Sequence, residues 1–187
     1  MRRCHDNAGF SLAEVIFVVV VVGILTSMVT PLFSPGRWRT DSAVQELALT
    51  LNAAQRLAVL RQHDLVVTFE LDDHRIRLHK DGDNDGIEDP GEEVSVQALP
   101  ETVGFGLGTA PALPHGAGPV SFASGSGDPR LTFHRNGSAS DSGVVYVRPE
   151  YGSMAANAEA VRALTVERAT GEVRCYSYRT GSWVPSC

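Results

Sequence analysis

The chain has 187 residues, 43% hydrophobic and 20% charged, which suits one folded domain of ordinary size and excludes a wholly disordered chain. Twenty-two acidic against sixteen basic residues give a formal net charge of −6, which argues against a general nucleic-acid binder. These averages conceal one anomaly: from Val15 to Gly36 no side chain is charged.

The first nine residues, Met1 to Gly9, are short, polar and carry Arg2 and Arg3. Phe10-Ser11-Leu12-Ala13-Glu14 then leads into Val15 to Leu25, which has no polar side chain and holds five consecutive valines, Val18 to Val22. Carried on to Phe33, the uncharged run reaches nineteen residues, close to the roughly 20 that a membrane helix needs. A secretory signal has a similar apolar region but ends in a small-residue cleavage site, and Thr26-Ser27-Met28-Val29-Thr30-Pro31 matches that poorly. Glu14 stands at the entrance of the run. A carboxylate costs on the order of 2.5–3.5 kcal/mol at the centre of a membrane helix, so Glu14 either sits at headgroup level or has a partner. Charge counting does not orient the span, because Arg2 and Arg3 before it are balanced by Arg37 and Arg39 after it.

Ser34-Pro35-Gly36 is expected to interrupt the helix, with Asp41 or Ser42 capping a second helix that runs to about His63. Val44, Leu47, Leu51, Ala54, Ala58 and Leu65 recur at three- and four-residue spacing, and Leu49, Leu57, Val59 and Leu60 widen that stripe as for a helix pressed against a sheet. Strands are expected at 65–70, 75–79, 94–99, 119–123, 130–134, 143–148, 163–168 and 172–178, with a long Gly/Pro-rich loop over 100–129. Arg135-Asn136-Gly137-Ser138 and Thr170-Gly171 mark tight turns between strands. The pattern is α+β: a long N-terminal transmembrane helix continuing into an amphipathic helix packed on antiparallel sheet, with no repeat and no second globular domain.

Between two of those strands lies Asp81-Gly82-Asp83-Asn84-Asp85-Gly86-Ile87-Glu88-Asp89-Pro90-Gly91-Glu92. Alternate carboxylates around a glycine-permitted turn supply the converging oxygens that a hard cation requires. The spacing fits a calcium loop with Asp81, Asp83, Asp85, the Ile87 carbonyl, Asp89 and Glu92 as ligands, although Glu88 stands where an apolar residue is usual and the flanks read as strands rather than helices. The other reading is a solvated acidic turn. No catalytic constellation accompanies it: Gly104-Phe105-Gly106-Leu107-Gly108 lacks the strand–turn–helix context of a phosphate loop, no serine occupies a nucleophile elbow, and the histidines have no metal-ligand spacing. No enzyme activity and no required cofactor are expected, with a structural calcium ion as the open question.

Gly9-Phe10-Ser11-Leu12-Ala13-Glu14-Val15-Ile16 resembles the class III signal of type IV pilins and type II secretion pseudopilins. The resemblance implies cleavage by a prepilin peptidase between Gly9 and Phe10, N-methylation of Phe10, and pairing of Glu14 with the new amino terminus of a neighbouring subunit. Leu47 to Asp64, Leu131 to Ala139 and Leu164 to Arg174 resemble segments of the GspH/FimT family of minor pilins and pseudopilins. The expected organisation is therefore a leader at 1–9, a transmembrane helix at 10–33 and a periplasmic domain at 34–187. The protein would be single-pass in the inner membrane, a structural subunit of a type II secretion pseudopilus or of a type IV pilus. Its partners would be other pilin or pseudopilin subunits and the peptidase.

In that oxidising setting Cys175 and Cys187 are expected to form a bridge, worth about 2–3 kcal/mol for so short a loop. Some FimT-like pilins capture DNA during natural transformation, and Arg162, Arg168, Arg174 and Arg179 near Tyr176, Tyr178 and Trp183 form the arginine–aromatic mixture such a role would use. Against it, removal of the leader takes away two arginines and one aspartate, so the charge of −6 falls to −7. Nucleic acid is not the expected partner.

Overall fold

The computed structural model describes residues 11–29, 35–123, 127–152, 155 and 157–187. The chain divides into two units, Met1–Pro35 and Gly36–Cys187.

The first unit holds helix α1, Leu12–Val29. Ser11 opens it: its hydroxyl accepts from the Ala13 N–H at 3.3 Å, and its carbonyl accepts from Glu14 and Val15 at 3.0 and 3.2 Å. From Leu12 to Thr26 every side chain is exposed, so the helix is apolar on all sides and must be covered by something other than its own unit. Among the described residues no helix is long and apolar enough to cross a membrane. The 18 residues of α1 rise about 27 Å, just under the roughly 30 Å of a hydrocarbon core. The expected span at 10–33 extends beyond α1 at both ends into residues outside the described set, as does the junction with the second helix.

The second unit opens within helix α2, Pro35–Arg61, one residue after its start. Pro35 and Gly36 form the first turn of this helix, where a proline lacks an N–H that would be unpaired in any case; Ser34 lies outside the described residues. Asp41 and Ser42 consequently lie inside the helix and cap nothing. The buried face comprises Ala43, Val44, Leu47, Ala48, Leu51, Ala54 and Ala58. Its alanines let the backbone approach the sheets closely, so one narrow stripe fills the contact. The expected widening does not occur: Leu49 is 71% and Leu60 is 76% exposed, Leu57 and Val59 are exposed too, and Leu65 belongs to the first strand. Gln62, at φ 58°, ends the helix in the left-handed conformation.

Among the described residues nine strands follow: β1 Asp64–Glu70, β2 Arg75–Asp81, β3 Val94–Ala98, β4 Val103–Phe105, β5 Arg130–Phe133, β6 Gly143–Pro149, β7 Arg162–Val166, β8 Val173–Arg179 and β9 Ser182–Pro185. They form two antiparallel sheets, β3-β2-β1-β5 and β4-β6-β7-β8-β9. The main core joins the α2 stripe to Val67, Phe69, Ile76, Leu131 and Phe133 of the first sheet and to Val145, Val147, Leu164 and Val166 of the second. Phe69 packs on Phe105 and Phe122 with ring centroids 6.1 and 5.6 Å apart, closing the seam between the sheets.

The second sheet has a smaller core on its other face, around Val144, Tyr146, Val161 and Ala163. The Gly/Pro-rich segment covers it, held down by side chains of the sheet. The Tyr146 hydroxyl accepts from the Leu113 N–H at 2.6 Å and donates to the Gly116 carbonyl at 3.0 Å, and Trp183 Nε1 donates to the Pro111 carbonyl at 2.9 Å. Within this segment the expected strand at 119–123 reduces to a single bridge, Val120 with Val145, while β4 and β9 are strands the sequence reading lacked. The Arg135–Ser138 turn is present, with Gly137 at φ 87° and the His134 N–H donating to Ser138 O at 2.8 Å. It makes no hairpin within one sheet, however: β5 closes the first sheet and β6 lies in the second.

Candidate functional site

Gly9 and Phe10 lie outside the described residues. Glu14 occupies the first turn of α1 and is exposed, like its neighbours on that helix.

The acidic segment leaves the end of β2. Asp81, its first residue, is buried, and its carboxylate accepts from the N–H groups of Asp85 and Gly86 at 3.1 and 2.7 Å. Asp83 accepts from the same Asp85 N–H at 3.3 Å, and Asp85 accepts from Ile87 at 2.7 Å. These bonds wind the loop around its own carboxylates, with Asn84 at φ 65° and Gly86 at φ 78° making the turn that permits it. The Asn84 side chain accepts from the Asp64 N–H at 2.8 Å, tying the loop to β1. Oxygens of Asp81, Asp83 and Asp85 lie within 4.8 Å of one another. The cost of that convergence falls on Asp83, whose carboxyl is raised above its ordinary range by desolvation and then by the charge of Asp85.

Glu92 is held apart from that trio. It accepts from the N–H groups of Gly82 at 2.6 Å and Asp89 at 3.0 Å, and bonds His79 Nε2 at 2.5 Å. The amides of Asp89 and Gly82, followed by His79, lower its pKa to about 2. The ligand spacing includes Glu92 but gives no place to His79. The available signal was strand alternation, since His79 and Asp81 are two apart on β2 and therefore share a face. Ile87 and Asp89 are exposed on the outer part of the loop. The converging oxygens suit a hard cation at Asp81, Asp83 and Asp85, whereas Glu92 would have to exchange partners to join them.

At the other end of the chain Cys175 of β8 and Cys187 are joined by a disulfide, with Cα atoms 5.3 Å apart. It fastens the strand β9 that lies between them. The arginine–aromatic set assembles only in part: Arg174 interacts with the Tyr176 side chain on the same face of β8, while Arg162 is withdrawn from the surface. Arg162 is only 3% exposed and is paired with Asp41 of α2, with further bonds to the Glu159 and Val161 carbonyls. Arg174 is bound at two nitrogens by Glu172, and Tyr178 packs on Trp183 at 5.4 Å under the 106–120 loop.

The amino-terminal residues 4–30 match the prokaryotic N-terminal methylation motif, and residues 43–170 match the family model of type II transport protein GspH. No curated protein matches the chain. Two solved structures of the minor pseudopilin EpsH from the type 2 secretion system of Vibrio cholerae share its fold. The first has a TM-score of 0.50 at 15% identity, covering 74% of this chain and 97% of that one. The second has a TM-score of 0.51 at 15% identity, covering 78% and 99% respectively. The GspH match runs from Ala43 within α2 through β1 to β7 and into the turn before β8, more than half of the chain, and the protein belongs to the GspH family of type II transport proteins.

Proposed function

We propose that this protein is a minor pseudopilin of a type II secretion system, cut between Gly9 and Phe10 by a prepilin peptidase, methylated on Phe10, and anchored once in the inner membrane with Gly36–Cys187 in the periplasm. One observation carries the reading: a methylation motif over residues 4–30 and a GspH domain over 43–170 occur in the same chain. The function is structural. The apolar helix supplies lateral contacts, and Glu14, exposed in its first turn, pairs with the cationic amine of Phe10 in a neighbouring subunit, since in lipid a pair is strongly preferred to two lone charges. Mass spectrometry of the membrane-extracted protein should find a methylated Phe10 at the amino terminus. An intact leader in cells with an active peptidase, or cleavage after Leu25, would overturn the reading.

In the same reading the Asp81–Glu92 loop takes up a calcium ion. Asp81, Asp83, Asp85, the Ile87 carbonyl, Asp89 and Glu92 would hold it, and the ion would relieve the repulsion concentrated on Asp83. The support is the ligand spacing and the convergence of the first three carboxylates. Millimolar calcium should raise the melting temperature of the protein, and Asp83→Ala should abolish the rise. Identical melts with calcium and with chelator would leave the loop an acidic turn.

A further inference from the structure

We infer that Trp38 seats its indole in the phospholipid headgroup layer next to the membrane anchor, fixing the height of the domain above the bilayer before assembly. The inference rests on the anchored reading above.

A single exposed apolar side chain is ordinary on a soluble domain; position distinguishes this one. Trp38 is 73% exposed at the start of α2, whereas the other tryptophan, Trp183, packs against Tyr178 and Tyr146 and is hydrogen-bonded to Pro111. Arg37-Trp38-Arg39 is the point where charge returns after the twenty-two uncharged positions 15–36. Tryptophan flanked by arginine is the composition favoured where a span meets the headgroups, because the indole is an apolar body with one N–H donor.

The two arginines are committed elsewhere and hold this end of α2 in place. Arg37 is paired with Glu159 at 2.8 Å, and Arg39 donates to Thr102 Oγ1 at 3.3 Å. The indole between them is thus presented from a fixed turn of helix. Its reach is bounded by the chain. Phe33 to Pro35 is two residues and Pro35 to Trp38 three helical ones, so the chain holds Trp38 within about 12 Å of Phe33, the end of the expected span. The headgroup layer is roughly 5–7 Å deep on each side. Within the second unit, Trp38 and the acidic loop lie towards opposite ends of α2. Twenty-three residues separate Trp38 from Arg61, which lines one cleft with Lys80 and Glu93; that is about 35 Å of helix.

The test uses the full chain and its Trp38→Phe variant in nanodiscs of phosphatidylcholine carrying a nitroxide either on the headgroup or deep in the acyl chain. Trp183 is common to both proteins, so their difference reports Trp38 alone. The expected result is strong quenching of wild type by the headgroup label, weaker quenching by the deep label, and loss of the headgroup quenching in Trp38→Phe. Equal emission with and without the headgroup label, in protein that co-purifies with the discs, would overturn the inference and leave the anchor standing. Dominant quenching by the deep label would overturn it as well. Protein that fails to enter the discs would overturn the anchored reading and this one with it. Headgroup quenching absent in single molecules, with Trp38 protected from aqueous acrylamide only after filaments form, would assign the side chain to a neighbouring subunit instead.

Discussion

Gln55 is the fastening point between α2 and both sheets, and its removal should be costly in a defined way. Its side-chain amide donates to the carbonyl of Gly137 at 2.8 Å and to that of Thr170 at 2.6 Å. The first lies in the turn after β5 and the second in the turn between β7 and β8. Gln55→Leu keeps the volume but leaves both carbonyls without this donor. At roughly 0.5–1.5 kcal/mol per bond the loss is about 2 kcal/mol, with Thr170 close enough to solvent to recover part of it. Gly171 approaches the same place from the other side. It sits at φ 64°, and a Cβ there would lie 2.4 Å from both Gln55 Nε2 and the Gly137 carbonyl. Gly171→Ala therefore combines about 1–2 kcal/mol of left-handed strain with overpacking of roughly 1–3 kcal/mol.

The two effects must be coupled, because the alanine methyl collides with the side chain that Gln55→Ala removes. The overlap with the Gly137 carbonyl is backbone and stays. Chemical denaturation of the fragment from Gly36, as wild type, Gln55→Ala, Gly171→Ala and the double Gln55→Ala/Gly171→Ala, gives the coupling directly. The expected result is a double mutant less destabilised than the sum by at least 0.5 kcal/mol, on the order of a close-contact coupling. Strict additivity, or a Gly171→Ala protein as stable as wild type, would refute the placement of Gln55 between the turns.

Two further outcomes follow from the same unit. Cys187→Ser opens the twelve-residue separation from Cys175; a loss of about 2–3 kcal/mol should lower the melting temperature by roughly 4–12 °C, and an unchanged melt in oxidised protein would mean that the bridge stabilises nothing. In chelator, stability should fall as pH drops from about 4.5 towards 2: Glu92, lowered to about 2 by backbone amides and His79, and Glu70, lowered by Arg75 and Arg77, contribute stability that is present above their unfolded pKa and lost as they take up protons in the fold. Asp83 is shifted the other way and opposes the trend, so Glu92→Gln should flatten the profile, and an unaltered slope in that variant would place the acid sensitivity elsewhere.

What the sequence made legible was local. The buried stripe of α2 and seven of the nine strands follow from periodicities that each segment carries within itself. β4 and β9 were hidden by their length and their glycine or proline content: three residues containing Gly104, and four ending in Pro185. The split into two sheets was hidden for another reason. β5 and β6 are joined by nine residues, 134–142, that begin with an ordinary tight turn, and only the partners of each strand, β1 for one and β7 for the other, decide that they part. Arg162 shows the same limit at a single residue. Its sequence neighbourhood suggests a surface cation, but the carboxylate that allows its burial is Asp41, 121 positions earlier.

Those distant bonds have a common effect. Along α2, Arg37 meets Glu159, Arg39 meets Thr102, Asp41 meets Arg162, Thr50 meets Gln97 of β3 at 2.7 Å, and Gln55 meets both turns. The first three reach residues of or beside the second sheet, the fourth reaches the first sheet, and the last joins the two. Between them the buried stripe packs against side chains of both sheets. A helix held along most of its length in this way cannot peel from the sheets one turn at a time, because each turn is secured by a different element. In the pseudopilin role proposed above, force transmitted from the anchor would enter Gly36–Cys187 at the N-terminal end of α2, where Arg37, Arg39 and Asp41 make the first three of these bonds. Loading along the helix then shears all the contacts together, and the domain can be moved as one body.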